Sequence, residues 1–117
     1  MSFAGDKTIS LALSDTGSVT ATVGAITSTN TAGVTITSTL PTAASFTGGD
    51  GNDVITIGAT TKAINMGAGT NTVNTGATIG TGGSVNGGSG AADVLAMSAA
   101  NAATATASIA SQAAFAD

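Results

Sequence analysis

The sequence predicts an all-β fold: a right-handed parallel β-solenoid of the β-roll kind, with an Ala-rich helix expected to cap its C-terminal end. Three observations lead there. Large apolar residues recur every nine positions, at Phe46, Ile55, Ile64 and Val73. Glycine-rich turns fill the gaps between them. Charged residues make up 7% and aromatics 3% of the 117 residues, with no Arg, Glu, His, Cys, Trp or Tyr. A globular core of large side chains is hard to build from such a chain, whereas stacked coils need only one or two apolar residues each. Low hydrophobicity with high charge would indicate disorder, but mean hydropathy is +0.41 and charge is scarce. The length suits a single domain, read as wider metal-free rungs over 1–47, a β-roll over 48–97 and a helical cap or tail over 98–117.

The elements follow in order. Thr8–Leu13 alternates, with Ile9, Leu11 and Leu13 on one face, as a half-buried strand does. Ser14–Ser18 reads as a turn, Val19, Ala21 and Val23 as a second strand extended by Ile26, and Ser28–Gly33 as another turn before Val34–Thr37. Pro41 punctuates before the strand Ala44–Thr47. After Val94–Met97 the pattern changes: Ser98–Phe115 is Ala-rich and free of Gly and Pro, Ala being the best helix former. Ser98 is its expected N-cap. Ile109 and Phe115 are its only larger apolar side chains, so such a helix must dock, and the open end of the stack is the surface that needs covering.

The nine-residue frame carries the most information. After Val73 the next apolar residue in frame is Val85, twelve positions on, and Val94 follows after nine more, so the frame survives a three-residue insertion within 75–83. Two units make one coil, which places alternate turns on the same edge. One edge then receives Gly48–Asp53 (GGDGND), Met66–Asn71 (MGAGTN) and Gly87–Asp93 (GGSGAAD, one residue longer). The other receives Ile57–Lys62 and Thr75–Gly83, which keep little beyond glycine. Glycine permits tight turns and close approach of backbone carbonyls. The acids and amides that follow are Asp53, Asn71 and Asp93.

Gly48–Thr56, GGDGNDVIT, matches the nonapeptide G-G-x-G-x-D-x-U-x. It resembles the calcium-binding repeat of RTX proteins. With the continuation INMGAGTNTVNTG and the closing GGSGAADVLAMSAANAATAT, the stretch Phe46–Thr106 looks most like RTX-type S-layer proteins and giant adhesins of Gram-negative bacteria. The resemblance implies bound Ca2+, held by oxygens from Gly48, Asp50, Asp53, Gly69, Asn71, Gly90 and Asp93. Calcium accepts six to eight oxygens in a flexible shell, which stacked carbonyls and carboxylates can supply. Asn71 departs from the family's Asp and removes a charge; Asp93 falls one residue late. For each acid the ordinary alternative is an Asx turn bonding its own backbone. The family further implies export through a type I channel to the bacterial cell surface, and MSFAGDKTIS has neither a charged n-region nor an apolar h-region.

Other chemistries find little support. The net charge of −4 offers phosphates no basic patch, against nucleic acid. Gly67-x-Gly69 and Gly80-x-Gly82 lack the helix and Lys-Ser/Thr of a phosphate loop. No serine has a His partner, and Asp50 and Asp53 lie in a turn rather than a cleft, so no catalysis is expected. No stretch is long and apolar enough to span a membrane. Outward Thr arrays could order water, but Thr56 gives way to Asn65, Asn74 and Asn86 in the same frame. The expected function is a non-catalytic, calcium-stabilised structural module of an extracellular layer, fibre or adhesin. Its expected partners are other copies of itself, neighbouring domains of a longer parent or a surface glycan. The alternative is an accessory folding and secretion module of a larger exported enzyme or toxin.

Overall fold

A computed structural model describes residues 1–13, 23–90, 92–105 and 112–113. The chain winds as a parallel β-solenoid, each coil contributing one strand to each of two sheets. The first sheet holds β1 (Ser2–Gly5), β3 (Ala25–Asn30), β5 (Ser45–Thr47), β7 (Ala63–Asn65), β9 (Ser84–Asn86) and β11 (Gln112–Ala113), in that spatial order. The second holds β2 (Ile9–Leu11), β4 (Val34–Leu40), β6 (Val54–Ile57), β8 (Thr72–Thr75) and β10 (Val94–Ala96). Every pairing is parallel. Among the described residues no helix is long and apolar enough to cross a membrane.

The core forms because the nine-residue frame puts one large side chain on the inner face of each strand. In the first sheet Ile26, Phe46, Ile64 and Val85 stack directly on one another. In the second Ile55, Val73 and Leu95 do the same, beside Leu40 over Ile57. All but Leu95 are buried. A parallel slip of one residue would turn each of these outward, so the inner rank fixes the register. The coils at the two ends are the widest: Ser2 pairs with Thr27 and Ile9 with Val34, twenty-five residues on, and Val85 with Gln112, twenty-seven on, against eighteen for Val54 and Thr72. β4 carries an irregularity between Thr35 and Thr39 where it meets the shorter β6.

Several expectations need correction. Val94 is 47% exposed, and Leu95 takes the core position opposite Val73. The loop before it has one residue more than its neighbours, which moves the strand's inner face along by one. Ser28–Asn30 is strand, not turn: Ser28 and Asn30 point inward and are buried, so the reversal is confined to the residues after Asn30. β1 was not foreseen from its composition. The helix, α1 (Ala99–Ala105), is shorter than expected. Ser98 does cap it, its Oγ accepting from the Asn101 N–H at 3.2 Å. The chain then returns as β11 beside β9, so the Ala-rich segment is not helical throughout. The strand expected over Val19–Val23, the turn before it and the stretch through Phe115 lie largely outside the described residues.

Candidate metal centre

The turns from the first sheet to the second all fall on one edge. They run 6–8, 31–33, 48–53, 66–71 and 87–93, and the last three end on Asp53, Asn71 and Asp93. The sequence-based alignment of these three holds. Each leads into a strand of the second sheet, where its Oδ1 accepts a backbone N–H from the preceding coil: Val34 to Asp53 at 2.7 Å, Asp53 to Asn71 at 2.9 Å and Asn71 to Asp93 at 2.8 Å. The side chains thereby extend the ladder of the sheet into the loops. Asp93 reaches its place despite the longer turn, and Ala92 absorbs the extra length with a φ of 63°.

The second atom of each side chain separates the acids from the amide. Asp53 and Asn71 are both fully buried. Asn71 Nδ2 donates to the carbonyls of Ala68 at 3.1 Å and Gly87 at 3.2 Å, with Gly69 more distant at 3.5 Å. Asp53 Oδ2 and Asp93 Oδ2 are buried without any hydrogen-bond partner. The remaining such atom among the described residues, Thr75 Oγ1, lies at the far end of β8.

Register gives the backbone counterparts of these carbonyls in the Asp53 turn. Asp53 stands 18 residues before Asn71, and Asn65 pairs with Asn86. The counterparts of Ala68, Gly69 and Gly87 are therefore Asp50, Gly51 and Met66. Gly48 reports the crowding directly: a Cβ there would strike both the Met66 carbonyl oxygen and Asp53 Oδ2. Glycine is required because nothing else leaves those two oxygens room. A buried carboxylate oxygen that makes no hydrogen bond, with a carbonyl oxygen in the same crowded space, is disfavoured unless a proton or a cation joins it.

Electrostatics agrees. Burial pushes the Asp53 carboxyl above its ordinary value of 3.8, while the N–H groups of Val34 and Gly49 pull it back down. No cationic side chain compensates: the two lysines are Lys7, in an exposed 3.8 Å pair with Asp6, and the exposed Lys62 on the opposite edge. Among the described residues no three His, Cys, Asp or Glu side chains gather. A cation at this edge would therefore be held mainly by carbonyls and one carboxylate, and Asp53 with the Gly48 and Met66 peptides could hold it. Asp50 is exposed at the tip of its loop. Gly69 and Gly90, both half-buried, are the counterparts of Gly51 in the next two turns.

Asn30 was missed as a structural residue. It is fully buried, its Oδ1 accepting from the N–H groups of Ala32 and Gly33 and its Nδ2 donating to the Lys7 carbonyl of the neighbouring coil, each at 2.8 Å. The signal was present as an Asn three residues before a glycine, the pattern of an Asx turn. Neither the family models nor the curated proteins give a match to this chain.

Proposed function

We propose that the chain is a non-catalytic structural module whose stacked turns are tightened by calcium, as part of an extracellular bacterial surface layer, fibre or adhesin. The observation that supports this reading is the buried Asp53 Oδ2, which makes no hydrogen bond and crowds the Gly48 site together with the Met66 carbonyl. Calcium suits such a place better than magnesium. It accepts irregular shells of carbonyl and carboxylate oxygens, whereas magnesium demands a tight octahedron and gives up water reluctantly. An unfolded chain has no assembled site, so the energy of binding adds to the stability of the fold.

The test is thermal unfolding followed by circular dichroism in EDTA, in calcium and in magnesium. Calcium should raise the melting temperature with an affinity of roughly 10⁻⁴–10⁻³ M, the range of extracellular modules. Asp53→Ala should remove most of the response, and Lys62→Ala, on the opposite edge, should preserve it. Equal melting in EDTA and millimolar calcium would sink the calcium reading. Assembly is tested separately by sedimentation. The end strands β1, β2, β10 and β11 each have one unpaired edge among the described residues, and Asp6 and Lys7 are the only charges near the first two. Calcium-promoted association is expected; a strict monomer at high concentration in both buffers would favour the accessory secretion module.

A further inference from the structure

The side chains that close successive turns along the edge are acid, amide and acid: Asp53, Asn71 and Asp93. We infer that the Asn71 side-chain amide is a built-in replacement for a bound cation, locking the step between the 66–71 and 87–93 turns without any ion. The inference rests on the cation reading only for the Asp53 step, where no such amide exists.

The geometry carries it. Asn71 is fully buried, and its Nδ2 sits among the carbonyls of Ala68, Gly69 and Gly87, two from its own turn and one from the next coil. Those oxygens converge as they would on an ion. An amide nitrogen supplies partial positive charge and two N–H donors to that point. Its orientation is not free: Oδ1 is committed to the Asp53 N–H at 2.9 Å, and reversing the amide would set oxygen against carbonyl oxygen. At the equivalent place one coil earlier, Asp53 presents Oδ2, which has no partner. Both steps share one ladder bond, Thr72 N–H on the Asp53 carbonyl and Val94 N–H on the Asn71 carbonyl, each at 2.8 Å, while the backbone of the turns differs, Gly67 and Gly69 having positive φ where Gly49 and Gly51 do not. What Asn71 adds to its step is an N–H donor where Asp53 offers a bare oxygen. Asn30 links coils from a different place, the end of β3, with its Oδ1 accepting from Ala32 and Gly33 of its own loop and its Nδ2 donating to the Lys7 carbonyl of the preceding coil.

Reciprocal exchange in the full chain tests this, with melting in EDTA and in calcium, and calcium binding followed by titration calorimetry. Asn71→Asp should melt lower than wild type in EDTA, recover in calcium and show an additional binding event. Asp53→Asn should melt higher than wild type in EDTA and lose the calcium response, because it replaces the buried, unbonded carboxylate oxygen by a neutral amide with N–H donors. Asp53→Ala, which has no donor to offer, should not match that gain. Asn71→Asp as stable as wild type in EDTA would overturn the inference. So would an Asp53→Asn chain melting no higher than Asp53→Ala, and that comparison decides the matter if Asn71→Asp does not fold in either buffer. A wild type indifferent to calcium, together with an Asn71→Asp chain that loses stability in EDTA and regains it in calcium, would reject the cation reading of Asp53 and support the role of Asn71.

Discussion

The two edges of the solenoid solve the same problem with different materials. Both must reverse the chain between sheets in a few residues and bond each turn to its neighbour. On the edge of 41–44, 58–62 and 76–83, backbone groups do this, helped by the Thr61 hydroxyl, which donates to the Thr42 carbonyl at 3.3 Å. Thr61 N–H reaches the Thr42 carbonyl at 3.0 Å and Gly80 N–H the Thr60 carbonyl at 2.8 Å. The one buried polar side chain there, Thr60, spends its hydroxyl on its own loop: it accepts from the Lys62 N–H at 3.2 Å and donates to the Lys62 carbonyl at 3.3 Å. On the opposite edge, Asp53, Asn71 and Asp93 cross from coil to coil, and two of them bury an oxygen with no donor. The winding itself does not require that oxygen. An acid placed there costs stability unless something else supplies charge, which makes Asp53 the feature of the fold in need of a functional reason.

Adding a methyl group to each edge should expose the contrast most strongly. Gly48→Ala would drive Cβ into the Met66 carbonyl, which cannot move without breaking the stack, and into Asp53 Oδ2. A loss of about 1–3 kcal/mol is expected, as for other overpacked sites, along with the calcium response. Gly58→Ala meets only Thr39 Cγ2 at 3.7 Å, an ordinary contact, and its φ lies outside the left-handed region. It should melt within a degree or two of wild type, or above it through the stiffer unfolded chain. Similar losses at Gly48 and Gly58 would mean that the Asp53 loop is no more crowded than its counterpart.

The edges also differ in where they take extra residues, and the register of the core shows that neither insertion disturbs it. The 76–83 turn is longer than 58–62, yet Val85 still lies over Ile64. The 87–93 turn is longer by one, and Leu95 rather than Val94 lies over Val73. Leu95→Ala should therefore cost about 1–2 kcal/mol, below the range for a fully buried leucine, while Val94→Ala stays within about 0.5 kcal/mol, as exposed sites do. Urea unfolding separates the two; a larger loss at Val94 would restore the nine-residue spacing.

That pair shows what was legible beforehand and what was not. Phe46, Ile55, Ile64, Val73 and Val85 were readable because one large residue per strand leaves the frame no rival among Thr, Ser and Gly. The same frame put Asp53, Asn71 and Asp93 on one edge, where the structure has them. Val94 failed because two adjacent apolar residues, Val94 and Leu95, follow a turn of altered length, and spacing cannot say which faces inward. β1 and Asn30 failed for a different reason: Phe3 and a buried amide carry no periodic signal, and their places are set by pairing with strands more than twenty residues away. The opposed roles of Asp53 and Asn71 could not be read from their shared position, since they depend on which atom meets the carbonyls.

The smallest expected effect is a pH dependence peculiar to the Asp53 edge. Burial raises the folded-state value of Asp53 above its unfolded value of 3.8, more than the Val34 and Gly49 N–H groups lower it. A carboxyl shifted in this direction binds its proton more tightly when folded. Its contribution to stability is therefore complete below 3.8 and disappears as pH rises through the folded-state value. In EDTA, Asp53 should make the protein melt slightly higher as pH falls from 7 into that window. Calcium should reverse the sign, because the ion needs the charged form and protons compete with it. The opposite edge has no carboxylate among its described residues, so Asp53→Asn should flatten both slopes by the same residue change. Melting curves across that pH range, in EDTA and in calcium, check the point. Parallel slopes for wild type and Asp53→Asn would show that the Asp53 carboxyl is solvated in solution, and would leave the two edges electrostatically alike.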